Sequence, residues 1–385
     1  MRVVLLTGKG GVGKTSLSLA TALGAAAHGH RTFVLSTDSA HSLGDALDRR
    51  VGARPVRVAE RVMAQEVCVP EELERSWVPL QGFLRKLLRE EADALVAEEL
   101  LSFPGLEELI ALRAIREVEA TGEFDLCVVD CAPTGSTLRM LRFPDVLRIF
   151  MENFFEMERR GARLLRPWLE RLRAGRMVPG EDIFDAFERL YTDVDDVRQI
   201  LLDGDRASAR LVVNPARVVV EETRRSFAYL SLYGVSTDAV LVNRRLPREA
   251  AGGWFAHWAE RERKEMRAIE ASFPVPRFHA PLYPHEPRGR TALARLARDL
   301  YGEVDPAGLL VRTRPIRLRH HMGRTRLEVA LPGACKEELQ VATRGADLVV
   351  RLRDATRLVA LPASVEGRPV HRAVLRDGVL RVEFE

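Results

Sequence analysis

The chain begins with an apolar run and a glycine-rich loop, Val3-Val4-Leu5-Leu6-Thr7-Gly8-Lys9-Gly10-Gly11-Val12-Gly13-Lys14-Thr15. The apolar run predicts a buried strand, and the stretch Ser16–Ala27 predicts a helix directly after the loop. A G-x-x-x-x-G-K-T loop between a strand and a helix is typical of a phosphate-binding site. Its glycines let backbone N–H groups approach the phosphates, and the helix N-terminus adds its positive dipole end. A glycine-rich turn without a ligand is the alternative.

The loop predicts ATP and Mg²⁺ as cofactors and assigns most of the site. Lys14 is expected to reach the β- and γ-phosphates, and Thr15 to hold the Mg²⁺ that bridges them. Lys9, directly after the first glycine, marks a deviant P-loop, in which this lysine can cross a dimer interface to the partner's nucleotide. We expect Lys9 and Lys14 to be catalytic. The residues expected to contact the nucleotide here are Gly8, Lys9, Gly10, Gly11, Val12, Gly13, Lys14, Thr15 and Ser16.

Composition narrows the class of protein. The 385 residues are 46% hydrophobic and 30% charged, which is ordinary for a globular protein of two or three domains. The net charge of +4 comes from acids and bases that are evenly interleaved, so we expect no nucleic-acid partner. Four cysteines suggest neither a disulfide framework nor paired zinc knuckles. Without an apparent signal peptide or membrane span, the sequence predicts a reduced, cytoplasmic protein.

Strands that alternate with helical stretches predict an α/β fold, a doubly wound and mostly parallel sheet. Ligand loops of such a sheet gather at the carboxyl ends of its strands, where Lys14, Asp38 and Asp130 all fall. The further strands are predicted at Arg31–Thr37, Met63–Val67, Asp125–Asp130, Ala209–Val213, Ala239–Asn243 and Pro276–His279.

Two helical insertions, about 71–119 and 143–202, interrupt this alternation and are rich in large apolar residues. These helices either pack on one another, which is the usual meaning of an apolar face, or form a groove for apolar helices. Phenylalanine and methionine suit adaptable contacts of the second kind. The candidate client-binding residues are Phe150, Phe154, Phe155 and Met157.

After Tyr301 the pattern changes. Residues 303–313 resemble a linker, and short segments with period-two alternation follow between about 324 and 384. Asp377-Gly378 carries a hairpin signal. The sequence therefore predicts a small all-β sandwich.

Six ordered motifs carry a family resemblance: GKGGVGKT (8–15), STDSAHSLGDAL (36–47), DCAPTGSTLRMLRFPDVL (130–147), VVNPARVVVEETRR (212–225), LVNRRLP (241–247) and APLYPHEPRG (280–289). Residues 1–302 resemble the ArsA-type P-loop ATPases, which include the arsenite-pump ATPase and the GET-pathway factor that targets tail-anchored membrane proteins. Residues 314–385 resemble the α-crystallin domain of small heat-shock proteins.

The resemblance implies roles for further residues. Asp38 would orient or deprotonate the attacking water, and Asp130 would hold Mg²⁺ through water. Asn243 would hydrogen-bond adenine, with Pro281 and Leu282 as the flanking wall. Each residue also has a plain structural alternative, because Asp38 could cap a helix, Asp130 could end its strand and Asn243 could sit in a turn.

The resemblance also implies a function: an ATPase that acts as a nucleotide-switched homodimer and binds hydrophobic helices such as tail-anchored proteins. Transient contact with a membrane receptor would follow. Ser39, Ser136 and Ala216 depart from the family's usual Pro, His and acidic residue. The stretch Pro247–Glu262 lacks the cysteine pair that clamps the targeting factor's dimer, so no zinc is expected.

Three alternatives remain. An arsenite or metalloid-transport subunit predicts clustered thiolates, which the sequence lacks. A MinD- or ParA-like positioning ATPase predicts a terminal amphipathic anchor or a basic DNA-binding face. A non-hydrolysing nucleotide-gated scaffold would not need Asp38, Lys14 and Thr15.

Overall fold

The computed structural model describes residues 1–38, 42–67, 106–132, 195–247, 252–321, 324–361 and 367–384, together with Thr192, Glu249 and Val365. Only the backbone is described for residues 106–112, 320, 321 and 324. The candidate client-binding residues Phe150, Phe154, Phe155 and Met157 lie outside the described residues, as do most of the two helical insertions.

A sheet of eight strands forms the centre of the α/β domain, in the order β3-β4-β2-β5-β1-β6-β7-β8. Its strands are β1 Arg2–Thr7, β2 Thr32–Ser36, β3 Val56–Ala59, β4 Val62–Glu66, β5 Leu126–Asp130, β6 Ala207–Val213, β7 Thr237–Arg245 and β8 Arg277–Pro281. All neighbouring pairs are parallel except β3 with β4, which is antiparallel at the edge. Strand β1 lies between β5 and β6, so the glycine-rich loop leaves from the middle of the sheet.

Helices cover both faces of this sheet. They are α1 Lys14–Ala27, α2 Ser42–Leu47, α3 Leu106–Ala120, α4 Arg217–Leu232, α5 Ala256–Ser272 and α6 Gly289–Tyr301, with a further helical stretch at 195–202. Apolar residues of α1, α2 and α6 form the core on one face, and those of α3, α4 and α5 form it on the other. The predicted doubly wound, mostly parallel fold is confirmed.

The C-terminal part is an all-β sandwich, as predicted. A four-stranded sheet has the order β14-β15-β10-β9, and a three-stranded sheet the order β11-β12-β13. The strands are β9 Ile316–His321, β10 Arg324–Ala330, β11 Leu339–Arg344, β12 Asp347–Leu352, β13 Ala355–Ala360, β14 Val370–Arg376 and β15 Val379–Phe384. Asp377 and Gly378 have φ of 53° and 68°, the left-handed conformation that the Asp-Gly hairpin signal predicts.

The β-sandwich is docked on helix α4 of the α/β domain. Ala228, Tyr229, Leu232 and Tyr233, at and just after the end of α4, are buried in the same apolar core as the sandwich strands. The Tyr229 hydroxyl donates to Asp354 Oδ1 at 2.5 Å, and the Tyr233 hydroxyl donates to the carbonyl of Thr356 at 3.3 Å. The two parts of the chain therefore share a packed interface.

Residues 303–313, predicted as a linker, contain no helix or strand and lie against the α/β domain. The carboxylate of Asp305 is 2.8 Å from His30 Nε2, and Ser236 Oγ donates to the carbonyl of Thr313 at 2.8 Å. The carbonyl of Gly308 accepts a hydrogen bond from the buried Arg210 at 3.3 Å. The segment is thus held along its length.

Strands β3 and β9 were not predicted from the sequence, whereas the other described strands fall on predicted runs, with ends shifted by a few residues. The helical character predicted for the insertions is seen at 106–120 and 195–202, the parts that are described. No helix of the described residues is long and apolar enough to cross a membrane.

Candidate nucleotide site

The glycine-rich loop joins the end of β1 to the start of α1. Helix α1 begins at Lys14, and the preceding Gly13 has φ 95° and ψ 31°, a left-handed conformation. Gly11 also has a positive φ, of 77°. Glycine adopts these angles without steric cost, so the loop can turn back over the helix N-terminus. The N–H groups of the first turn of α1 therefore face the loop, the arrangement that binds phosphate in other proteins.

Two glycines of the loop are required by close packing. A Cβ atom at Gly8 would lie 2.4 Å from the carbonyl oxygen of Val212, and one at Gly13 would lie 2.3 Å from Asn243 Nδ2. A Cβ atom at Gly10 would meet nothing within 4 Å. The loop therefore rests on the ends of β6 and β7, while Gly10 faces open space.

The two loop lysines point in different directions. Lys14 is buried, and its ammonium donates to the carbonyl of Lys9 at 3.4 Å, across the inside of the loop. Lys9 is partly exposed, and its ammonium lies 3.3 Å from Glu222 Oε2 on helix α4. Lys14 thus faces the space enclosed by the loop, whereas Lys9 is directed away from it.

Asp130, at the end of β5, lies beneath the start of α1. Its carboxylate is fully buried, and Ser18 Oγ donates to Oδ1 at 3.1 Å. Burial raises the pKa of Asp130 to about 6, while Thr15, Lys14 and Ser18 act in the opposite direction. Oδ2 is buried without a hydrogen-bond partner among the described residues. The hydroxyl of Thr15 lies 3.0 Å from Ser42 Oγ.

The segment after β2 approaches the same place. The N–H of Thr37 donates to the carbonyl of Asp130 at 3.0 Å, which ties this segment to the end of β5. The N–H of the next residue, Asp38, donates to Ser36 Oγ at 3.3 Å. Asp38 is half-buried and lines the cavity in front of the loop. The next three residues of the chain, Ser39, Ala40 and His41, are outside the described residues.

Glu66 is a residue of this region that the sequence analysis missed. It is buried at the end of β4, and Oε1 accepts hydrogen bonds from the N–H groups of Leu43 and Gly44, at 3.0 and 3.1 Å. A carboxylate satisfies the free N–H groups at a helix start, here those of α2. Glu66 therefore fixes α2, which carries Ser42 beside Thr15. The available signal was its position, because Glu66, like Asp130, is a carboxylate ending a buried strand.

Asn243 is hydrogen-bonded to the glycine-rich loop. It is buried, its Nδ2 donates to the carbonyl of Val12 at 2.9 Å, and its Oδ1 accepts from the N–H of Arg244 at 2.9 Å. Pro281 pairs with Arg245 in the neighbouring strand, and the N–H of Leu282 donates to the carbonyl of Arg245 at 2.8 Å. The side chain of Leu282 is exposed. Asn243, Pro281 and Leu282 are thus brought together at the ends of β7 and β8.

A cavity of about 350 Å³ lies in front of the loop. It combines the loop backbone with side chains of both charges from four segments. Its lining consists of Gly10, Gly11, Gly13, Lys14, Thr15, Ser16, Asp38, Ser42, Asp45, Ala46, Arg244, Glu286, Pro287 and Arg288. The predicted catalytic residues Asp38 and Lys14 therefore face one space, with Lys9 outside it.

The residues present fit a nucleotide with Mg²⁺. Hydroxyl and carboxylate oxygens are the ligands that Mg²⁺ prefers, and it usually keeps several waters beside substrate phosphates. The hydroxyls of Thr15 and Ser42 and the unsatisfied Oδ2 of Asp130 supply such oxygens. Among the described residues there is no group of three or more side chains that could hold a metal by themselves, so phosphate oxygens and water would complete the shell.

Comparison with known proteins agrees with this geometry. The family model described as anion-transporting ATPase matches residues 1–302, and the one described as HSP20-like domain found in ArsA matches residues 322–384. The chain is 33% identical to a Chlorobaculum tepidum protein named "Putative arsenical pump-driving ATPase", over 100% of this chain and 96% of that protein. An Aquifex aeolicus protein named "Putative arsenical pump-driving ATPase 1" is 32% identical, over 99% of both chains.

A more distant relative matches about two thirds of the chain. The Paramecium tetraurelia protein named "ATPase ASNA1 homolog 1" is 27% identical over 64% of this chain and 75% of its own length. A loop between β1 and α1 shaped for phosphate, a family match over the whole α/β domain and relatives that match end to end lead to one conclusion. The chain belongs to the ArsA family of anion-transporting ATPases and carries, after its ATPase domain, the HSP20-like domain found in ArsA.

Proposed function

We propose that this ATPase hydrolyses ATP with Mg²⁺ as a nucleotide-switched homodimer that holds hydrophobic helices, such as those of tail-anchored membrane proteins. The observation that carries the proposal is the shared cavity of Lys14, Thr15 and Asp38 at the carboxyl ends of β1 and β2. A bound Mg²⁺ would neutralise charge on the β- and γ-phosphates.

Each polar group of the cavity has a task in this proposal. The loop N–H groups and Lys14 bind the phosphates, and Thr15 holds Mg²⁺. Asp130 accepts a hydrogen bond from a water of the metal through its otherwise unsatisfied Oδ2. Asp38 accepts a proton from the attacking water or orients it. Asn243, Pro281 and Leu282 enclose adenine from the ends of β7 and β8.

The homodimer and its clients rest on further features. Lys9 is directed out of its own loop and is exposed enough to reach a second subunit. The clients would bind at Phe150, Phe154, Phe155 and Met157, which follow the Asp130 segment in the chain, so that movement at the γ-phosphate reaches them. Relatives named for ASNA1 support this direction. The same proposal places the protein in the cytoplasm and includes a transient contact between the protein and a membrane receptor.

A metalloid-transport role is the second candidate, because several relatives carry arsenical-pump names. Such a role calls for thiolates close together. The described cysteines are separated: Cys127 is buried near the start of β5, Cys131 is buried just after its end, and Cys335 is exposed on the β-sandwich. We therefore favour the client-binding function.

Asp38→Asn tests the hydrolytic part. The variant keeps the shape of the cavity and loses the base, so ATP turnover is expected to fall by about 10²–10⁴-fold while ATP binding persists. Phosphate release and calorimetric ATP binding measure the two effects. Hydrolysis by Asp38→Asn at the wild-type rate would show that Asp38 has another role.

Phe154→Asp with Phe155→Asp tests the client part. Burying one phenylalanine side chain against a client is worth roughly 1.5–3 kcal/mol, so capture of a tail-anchor-like peptide should fall by about tenfold or more while phosphate release changes little. Phe255→Asp is the matched control, since Phe255 is an exposed phenylalanine outside the insertions. Equal peptide capture by the wild type and the double variant would assign these helices to an ordinary core.

A further inference from the structure

Arg244 is an arginine of the cavity lining that has no counter-ion among the described residues. The other arginine of the lining, Arg288, donates to Glu286 Oε2 through Nη2 at 2.9 Å and through Nε at 3.1 Å. Arg244 makes no ion pair and no side-chain hydrogen bond within the described part of the chain. Arg244 is exposed and lines the cavity together with Gly10, Gly11 and Gly13.

The backbone of Arg244 is held in an unusual conformation. Its φ is 58°, and the other non-glycine residues with positive φ among those described are Asp48, Arg353 and Asp377. A residue with a Cβ pays a steric cost in the left-handed region and is kept there only when its surroundings impose it. Here Asn243 imposes it, because its side chain accepts the Arg244 N–H and donates to the carbonyl of Val12.

This conformation separates the two arginines that follow Asn243. Arg245 turns toward α5 and β8, where it pairs with Glu262 and its Nη1 lies 3.3 Å from His279 Nδ1. Arg244 turns toward the phosphate loop. The left-handed conformation of Arg244 thus places Arg245 against α5 and β8 and leaves Arg244 at the cavity.

Three carboxylates, those of Asp38, Asp45 and Glu286, line the same cavity. The negatively charged phosphates of a nucleotide would enter beside them. An arginine can offer two parallel N–H donors to phosphate oxygens, which a lysine cannot. We propose that Arg244 is a further nucleotide-binding residue that pairs with the phosphates of the bound nucleotide, an inference that rests on the nucleotide-binding function proposed above.

Calorimetric binding of ATP, ADP and adenosine to Arg244→Gln tests the inference. A hydrogen bond to a charged group predicts an ATP affinity about ten- to a hundredfold weaker than that of the wild type. The loss should be smaller for ADP and absent for adenosine, and it should shrink as salt is raised. Arg244→Lys should restore part of the affinity. Arg54→Gln, which removes an exposed arginine outside the cavity lining, is the charge-matched control.

Arg244→Gly is a second variant, which we expect to fold at least as stably as the wild type. Glycine relieves the positive φ, so the melting temperature should stay equal or rise while ATP affinity falls. Unchanged ATP affinity in Arg244→Gln and Arg244→Gly would overturn the inference. An equal loss for ATP and adenosine would overturn it too, because Arg244 would then contact the base.

Lys14→Ala distinguishes this outcome from failure of the nucleotide function itself. If the wild type binds ATP and Lys14→Ala does not, while both Arg244 variants bind normally, only the Arg244 assignment fails. If the wild type and Lys14→Ala bind ATP equally weakly, both proposals fail.

Discussion

Gly8 and Gly10 stand in the same loop and face different surroundings. The position of a Cβ atom at residue 8 is already occupied by a backbone carbonyl, that of Val212, at 2.4 Å. Residue 10 has open space instead. Neither has a positive φ, so the comparison isolates packing from backbone conformation.

Gly8→Ala is therefore expected to destabilise the protein by about 1–3 kcal/mol, because the added methyl group must displace a strand backbone. Gly10→Ala is expected to change stability by less than about 1 kcal/mol. Thermal or urea unfolding of both variants measures the difference. Equal effects at the two positions would mean that the loop does not rest on β6 as described.

The sequence allowed a prediction for those site residues that lie within a recognisable motif. The roles predicted for Lys14 and Thr15 follow from the loop motif, and those predicted for Asp38 and Asp130 follow from the family resemblance. Glu66 and Arg244 were missed, because their placement depends on contacts between segments far apart in the chain, directly for Glu66 and through the Asn243–Val12 hydrogen bond for Arg244. Glu66 acts on α2, which precedes it in the chain, and the direction of Arg244 depends on the hydrogen bonds of Asn243.

Helix α4 contacts both the phosphate loop and the β-sandwich. Near its start Glu222 pairs with Lys9 of the phosphate loop, and near its end Tyr229 bonds to Asp354 of the β-sandwich. The Lys9–Glu222 pair is partly exposed, and exposed pairs contribute only about 0–1 kcal/mol. Lys9 can therefore leave Glu222 at small cost, which the proposed dimer requires.

Glu222→Gln tests whether Lys9 is free to leave Glu222 for a second subunit. The free energy of unfolding should change by less than about 0.5 kcal/mol, because the pair is near the surface. If Lys9 serves the phosphates of a second subunit, ATP-induced dimerisation should occur at a protein concentration a few-fold lower, since the competing intramolecular partner is gone. Light scattering across a concentration series with ATP and Mg²⁺ measures it.

Glu221→Gln is the matched control, since Glu221 pairs with Arg224 on the same helix and not with the loop. Identical dimerisation of wild type, Glu221→Gln and Glu222→Gln would contradict a role of Glu222 in restraining Lys9. A protein that stays monomeric at every concentration would remove the dimer from the proposal.

Among the elements, the buried strands were predictable and two edge strands were not. Strand β5 begins with the apolar run 126–129 and β6 ends with the apolar run 211–213, and both strands are buried along their whole length, as a parallel sheet covered on both faces requires. Strand β3 has four residues, and β9 alternates apolar residues with arginine and histidine. Edge strands are commonly short or charged, so they give a weak hydrophobic signal.

The whole molecule consists of two parts with a common packed boundary. The sequence predicted both parts and the change of pattern between them, and the domain limits at 302 and 314 remain predictions. Their mutual placement was not predictable, because Tyr229, Leu232 and Tyr233 have the apolar spacing of any core helix. Only the structure shows that this face is covered by the β-sandwich and not by the α/β domain's own helices.

That boundary has a consequence for the protein as it is being made. Helix α4 leaves the ribosome well before the strands of the β-sandwich, so its Tyr229–Tyr233 face stays uncovered for the whole time in which residues 316–384 are synthesised. Exposed apolar surface of this kind attracts other chains during folding. A nascent ATPase domain whose phosphate loop has already formed can therefore still aggregate through this face. The risk ends when the strands of the β-sandwich fold over it.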